Sequence, residues 1–170
     1  SLLIAIIKVF LSFQNVKRFY NAYILPHFDC CCVIWGICTS VFEDKLQKRA
    51  ARAIIDIDFT VPSETMFTQL KWMEFPERVV YHKTIQMFKT VCGDAPDYLN
   101  NDFVFTSEIT LIIFNFHLYT PRSNTELFRN SFIFSGTSIW NSIPKYIKPA
   151  YSVKHFKSLY LRWYKHSVES

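Results

Sequence analysis

Lys45, Lys48, Arg49 and Arg52 recur at i, i+3, i+4 and i+7. At about 100° per residue these four cations form one stripe along a helix. Two readings of the stripe stay open. One is a solvated face that keeps an apolar protein soluble. The other is a row of charges that meets successive phosphates of a duplex and displaces their counterions. Phe42, Leu46, Ala50, Ala53, Ile54 and Ile57 predict the packing face of the same helix, Val41 to Ile57, with Thr39 or Ser40 as its N-cap.

The residue types that carry catalysis are present but not assembled. A two-metal polymerase centre needs carboxylates that hold both ions, usually with two adjacent aspartates on a turn. The sequence has no Asp-Asp pair, and Asp56-Ile57-Asp58 reads as turn-forming carboxylates at a helix end. His27, His82, His117, His155 and His166 lack a metal-ligand spacing. Pairing Cys92 with His82 gives a nucleophile and a base without a third group to orient them. Cys30, Cys31, Cys32, Cys38 and Cys92 contain no C-x-x-C pair, which predicts buried free thiols in a reducing, intracellular compartment. Three glycines in these positions make no phosphate-cradling loop. The expectation is a chain with no catalytic residue, metal site, cofactor or small-molecule substrate.

Half of the 170 residues are hydrophobic, enough to bury a core, and the 18% aromatic share points to dense ring packing or to a partner surface. A formal charge of +5 permits contact with nucleic acid without demanding it. Leu2 to Phe13 is apolar, but Lys8 interrupts it and it is too short to cross a bilayer, so no membrane segment is expected. Starting at Ser1 inside a helical pattern suggests a fragment or a processed piece.

The elements follow from periodicity and punctuation. Leu2 to Trp35 predicts a buried helical hairpin, ended or kinked at Pro26 and stopped at Gly36. Pro62-Ser63 opens a short helix to about Leu70, and Phe75-Pro76-Glu77 opens another that runs to Cys92 and stops at Gly93. On that second helix Arg78, His82, Gln86 and Lys89 form a polar edge. Residues 93–108 read as a connector with a turn near Tyr98. The Phe, Ile and Thr runs that follow suggest short strands within 109–134, with a minor β element near 118–134. A short helix over Ser135 to Asn141 stops before Pro144. Ser152 then caps a final helix with Val153, Phe156, Leu159, Tyr160 and Trp163 inward and Lys154, Lys157, Arg162 and Lys165 outward. The expected fold is mainly α, a helical bundle with that minor β element, arranged as a 1–92 helical lobe, the 93–108 connector and a 109–170 lobe. Its core is expected to hold Trp35, Leu46, Ala50, Ile54, Trp72 and Trp140. The tryptophans, set among aliphatic neighbours, read as core in preference to base-stacking platforms.

Phe19-Tyr20-Asn21-Ala22-Tyr23-Ile24-Leu25-Pro26-His27-Phe28-Asp29 and Val33-Ile34-Trp35-Gly36 are followed by Leu46-Gln47-Lys48-Arg49-Ala50-Ala51-Arg52. Leu70-Lys71-Trp72-Met73 comes next, then Phe75-Pro76-Glu77-Arg78, Asp94-Ala95-Pro96-Asp97-Tyr98-Leu99 and Ile139-Trp140-Asn141-Ser142-Ile143-Pro144. This ordered series, over roughly residues 15–165, resembles the post-palm region of non-LTR retrotransposon reverse transcriptases of the jockey and LINE-like group. The resemblance implies a helical thumb and the region after it, which would help grip the template–primer duplex, and the stripe Lys45, Lys48, Arg49 and Arg52 is the candidate contact for RNA or an RNA–DNA hybrid. An upstream palm, holding Mg²⁺, would perform RNA-directed DNA synthesis. The chain departs from the family near Asp44–Gln47, at Asp29-Cys30 and at Leu111-Ile112-Ile113-Phe114. Those departures keep a second reading open: a decayed mobile-element relic, or a helical module reused for protein interaction.

Overall fold

The computed structural model describes residues 10–30, 32–35, 40–58, 60–106 and 116–168. Among them the chain is mainly helical and has no β-strand. The run Leu2–Val9, the Gly36 stop, the Thr39 cap, Cys31, Cys38 and Leu111–Phe114 lie outside the described residues.

The first helical run does not stop at Pro26. Helix α1 (Phe13–Phe19) passes into a π-helical turn, Tyr20–Ile24, and continues as α2 (Leu25–Asp29). The Leu25 N–H reaches back five residues to the Tyr20 carbonyl. Proline lacks an N–H, and its ring crowds the carbonyl four residues earlier. A widened turn just upstream relieves that conflict, and Pro26 sits in the first turn of α2, where no donor is needed. The run ends at Cys30, whose backbone is extended (ψ 116°), and α3 spans Cys32–Trp35.

Helix α4 spans Ser40–Ile55, α5 Ser63–Leu70 and α6 Phe75–Val91. Each ends in a left-handed residue: Asp56 (φ 69°), Lys71 (φ 53°) and Gly93 (φ 79°). At the second stop Lys71 N–H donates to the Thr68 carbonyl (3.1 Å) and Trp72 N–H to that of Phe67 (2.9 Å). The Gly93 and Asp94 N–H groups close α6 in the same way, onto Thr90 (3.1 Å) and Lys89 (2.8 Å). Glycine adopts this conformation freely, whereas Asp56 and Lys71 need the closing bonds to hold them there.

Contacts divide the chain into two compact units, Ser1–Val80 and Tyr81–Ser170. The division falls inside α6, because the later residues of that helix, Met87 and Phe88, are buried in the second unit's core. Residues 93–108 belong to that second unit. In the first unit, Val16 and Tyr20 from the N-terminal run meet Ala50, Ala51 and Ile54 of α4 and Met66, Phe67 and Leu70 of α5. Two successive alanines let the helices approach closely. The buried face of α4 is therefore rotated toward Gln47 and Ala51. Phe42, expected on the packing face, is 65% exposed, while Leu46, Ala53 and Ile57 are half-buried.

The second unit continues with α7 (Asp97–Asn100), α8 (Glu126–Asn130), α9 (Phe132–Ser142) and α10 (Val153–Val168). Helices occupy much of the stretch where a β element was expected. Hydroxyl caps explain it. Thr125 Oγ1 accepts from Phe128 N–H (3.2 Å) and Ser131 Oγ from Phe134 N–H (3.4 Å). These caps and the packing of Phe132 override the strand propensity of the Phe and Ile runs. What remains of the β expectation is one isolated antiparallel bridge, Phe105 to Leu118.

Trp140 is fully buried beside Phe156, Ile143, Ile147 and Met87, and Phe156 stacks on Phe88 at 4.3 Å. Gly136 admits this packing: a Cβ there would lie 2.6 Å from Met87 Sδ. Trp140→Ala is expected to destabilise the protein by about 3–5 kcal/mol in urea unfolding. A loss under about 1 kcal/mol would show that the ring is not the anchor its burial implies.

Candidate nucleic-acid interface

Helix α4 carries the cationic stripe. Its sequence favours a helix through Leu46 and three alanines, with Glu43 near the positive start and Arg52 near the negative end. With Gln47, Ala50, Ala51 and Ile54 buried, the basic residues lie on the opposite side. They are not equivalent. Lys45 and Arg49 are exposed, whereas Lys48 and Arg52 are half-buried. Lys48 Nζ lies 2.7 Å from Asp44 Oδ2, one turn earlier. It also faces Glu74, whose carboxyl is raised above its usual pKa by burial, an effect the Lys48 charge opposes and Glu77, Asp44 and Glu64 reinforce. The positive surface of α4 is thus strongest at Lys45 and Arg49 and partly neutralised at Lys48.

Below the stripe lies a polar network that sequence patterning did not reveal. The Gln47 amide is buried and donates through Nε2 to the Met73 carbonyl at 3.0 Å, tying α4 to the segment between α5 and α6. Tyr20 stacks on Trp72 with ring centroids 4.3 Å apart. Arg78 makes a two-pronged pair with Asp29, through Nε to Oδ1 and through Nη2 to Oδ2 at 2.5 Å. Burial opposes the Arg78 charge, but the hydrogen bond and charge of Asp29 outweigh it and hold the guanidinium firmly protonated. Burial likewise keeps the Tyr20 phenol neutral, pushing its pKa well above the usual tyrosine range despite the nearby Arg78 charge. The partners in the pair stand 49 positions apart. Only the fold brings them together.

The remaining candidates lie elsewhere. Ala50, Ile54 and Trp140 are buried, Leu46 and Trp72 half-buried, and Trp35 ends α3 with its side chain outside the described residues. Asp56 and Asp58 are exposed in the turn after α4. Cys32 is buried, but Cys30 and Cys92 are exposed. The buried-thiol expectation is corrected for those two, which occupy the chain's exits from α2 and α6. Among the described residues no three His, Cys, Asp or Glu side chains are grouped to hold a metal ion, and no helix is long and apolar enough to cross a membrane. A half-open cleft of about 440 Å³ between the end of α6 and residues 100–105 is lined by Thr90, Asn100, Phe103 and other residues without a titratable side chain.

No protein-family model, curated protein or solved structure matches the chain.

The Asp29–Arg78 pair yields a stability test. Arg78→Met leaves the half-buried carboxylate without its guanidinium and should cost about 2 kcal/mol, less than a fully buried pair because both side chains keep some solvent. Adding Asp29→Asn should recover at least half of that loss. An Arg78→Met variant as stable as wild type would show that the pair holds nothing together.

Proposed function

We propose that this chain is a non-catalytic piece of a non-LTR retrotransposon reverse transcriptase, the thumb and the region after it, and that α4 grips template–primer nucleic acid. One observation supports the reading. The residues that carry the resemblance make the contacts that organise both units: Asp29 with Arg78, Tyr20 with Trp72, Gln47 with Met73, and Trp140 and Asn141 with residues 116–118. Motif positions spaced far apart yet joined in pairs behave as a fold signature. In this reading the palm aspartates and their Mg²⁺ belong to an upstream part of the parent polymerase, and Lys45 and Arg49 supply the main phosphate contacts.

The exposed rings of Phe42 (65%) and Tyr23 (65%), together with the neutralised Lys48, favour a second reading, in which the first unit is a helical interaction module or relic without nucleic-acid function.

Two measurements bear on the choice. Replacing Lys45, Lys48, Arg49 and Arg52 by Gln removes charge while keeping helix propensity. The variant should bind an RNA–DNA hybrid more weakly at low salt, with a log–log salt slope shallower by about 2–3, and with unchanged helical circular dichroism. Equal binding by wild type and variant would leave α4 a solvated face. Primer extension by the chain alone, with Mg²⁺ or Mn²⁺, should give no incorporation above a no-protein control, since paired carboxylates are required to hold the two ions. Template-dependent extension would refute the fragment reading.

A further inference from the structure

Asp and Glu are absent from Leu127 to Val168, while Lys145, Lys148, Lys154, Lys157, Arg162 and Lys165 all fall within that stretch. The bias has a spatial form. Ser152 caps α10 by accepting from His155 N–H at 3.2 Å, which fixes the helix phase. Phe156 and Tyr160 are then buried in the second unit's core, and Lys154, Lys157 and Lys165 share the outward face with Arg162 beside them, all four exposed. At the start of this helix Tyr151 is 85% exposed and stacks one face on His155 at 4.2 Å, leaving its other face open. Tyr146, in the turn after Pro144, is 64% exposed and follows the exposed Lys145.

We propose that the α10 face, with Tyr146 and Tyr151, is a second nucleic-acid surface, separate from α4, that binds a single strand. Cations along one face track the phosphates, and open aromatic rings take unstacked bases, which a duplex does not present. Near the exposed Lys145, burial first and then the charges of Lys148 and Lys145 lower the His117 pKa, which favours its neutral ring and leaves the positive field of this turn to the lysines. An anionic membrane fits less well, because a helix that inserts needs its apolar face free, and α10 has committed Phe156 and Tyr160 to the core.

The test is fluorescence anisotropy of the full 170-residue chain with a labelled oligouridylate 20-mer. Tyr146→Ala/Tyr151→Ala should weaken binding about tenfold, and the corresponding Phe replacements should retain it. Changing Lys154, Lys157, Arg162 and Lys165 to Gln should flatten the salt slope by about 2–3. The α4 Gln variant should still bind the single strand, so failure of the α4 reading and failure of this one are separately visible. Unchanged binding in both the Ala and Gln variants overturns the proposal. So does tighter binding of a hybrid duplex than of the single strand, or equal competition by polyglutamate or by phosphatidylserine vesicles.

Discussion

The second unit depends on one side chain, the carboxamide of Asn141. Its Oδ1 accepts from Leu118 N–H at 3.0 Å and its Nδ2 donates to the Leu118 carbonyl at 2.9 Å. On the opposite edge of the same segment, Thr106 N–H donates to the His117 carbonyl (2.9 Å) and Tyr119 N–H to that of Val104 (2.8 Å). The neighbouring Trp140 indole donates to the Phe116 carbonyl at 2.9 Å. An extended segment that enters a helical core must satisfy its backbone groups, since each left unpaired costs about 1–3 kcal/mol. Here a helix side chain takes the place of a second strand. That is why Leu118 is buried without a sheet around it, and why Trp140 and Asn141 act together.

The first unit solves a different problem. Apart from α4 its complete helices are short, and a π-helical turn displaces the register at Tyr20, so hydrophobic periodicity alone underdetermines how they dock. Directional contacts supply the missing specification. Asp29 and Arg78 fix the end of α2 against the start of α6, and Gln47 fixes α4 against the residue following Trp72. Each is a polar side chain at a packing seam whose directional hydrogen bonds hold one docking geometry, which is how such groups confer register. Ala50 and Ala51 are buried in the seam these contacts define.

Helix existence was legible because periodicity and punctuation agree: Pro62-Ser63 before α5, Phe75-Pro76 at α6, Gly93 after it and Ser152 before α10. The stop of α5 near Leu70 was legible as well, but α4 ends at Ile55, short of the expected Ile57, because Asp56 adopts a left-handed φ that residue type does not announce. The strand expectation failed where strand-forming residues follow Thr125 and Ser131, whose hydroxyl caps a propensity scale ignores. On α4 the apolar residues Phe42 and Leu46 pointed to one phase, but Gln47 and Ala51 occupy the buried face because the neighbouring helices need a small residue and a hydrogen-bonding one there. Pairs such as Asp29 and Arg78 carry no local signal at all, since each reads alone as a polar edge.

Both basic helices illustrate how a packing constraint becomes a surface property. On α4 and on α10, the core claims one face, and the cations are left on the side the core does not use. What differs is the company they keep. Around α4, Asp44 and Glu74 stand close to Lys48, so the field there is divided. From Leu127 onward the sequence offers no carboxylate until after Val168, so nothing on α10 or the preceding turn offsets its lysines, and Lys148 is buried over the Trp140 ring at 5.4 Å with its pKa lowered by burial and by Lys145. Burying an amine among like charges opposes folding, and the cost grows with the number of neighbouring cations. For Lys148 the Phe116 carbonyl, which accepts from its Nζ at 3.4 Å, and the Trp140 ring offset that cost within the unit, so the outward positive field is carried by the exposed Lys154, Lys157, Arg162 and Lys165.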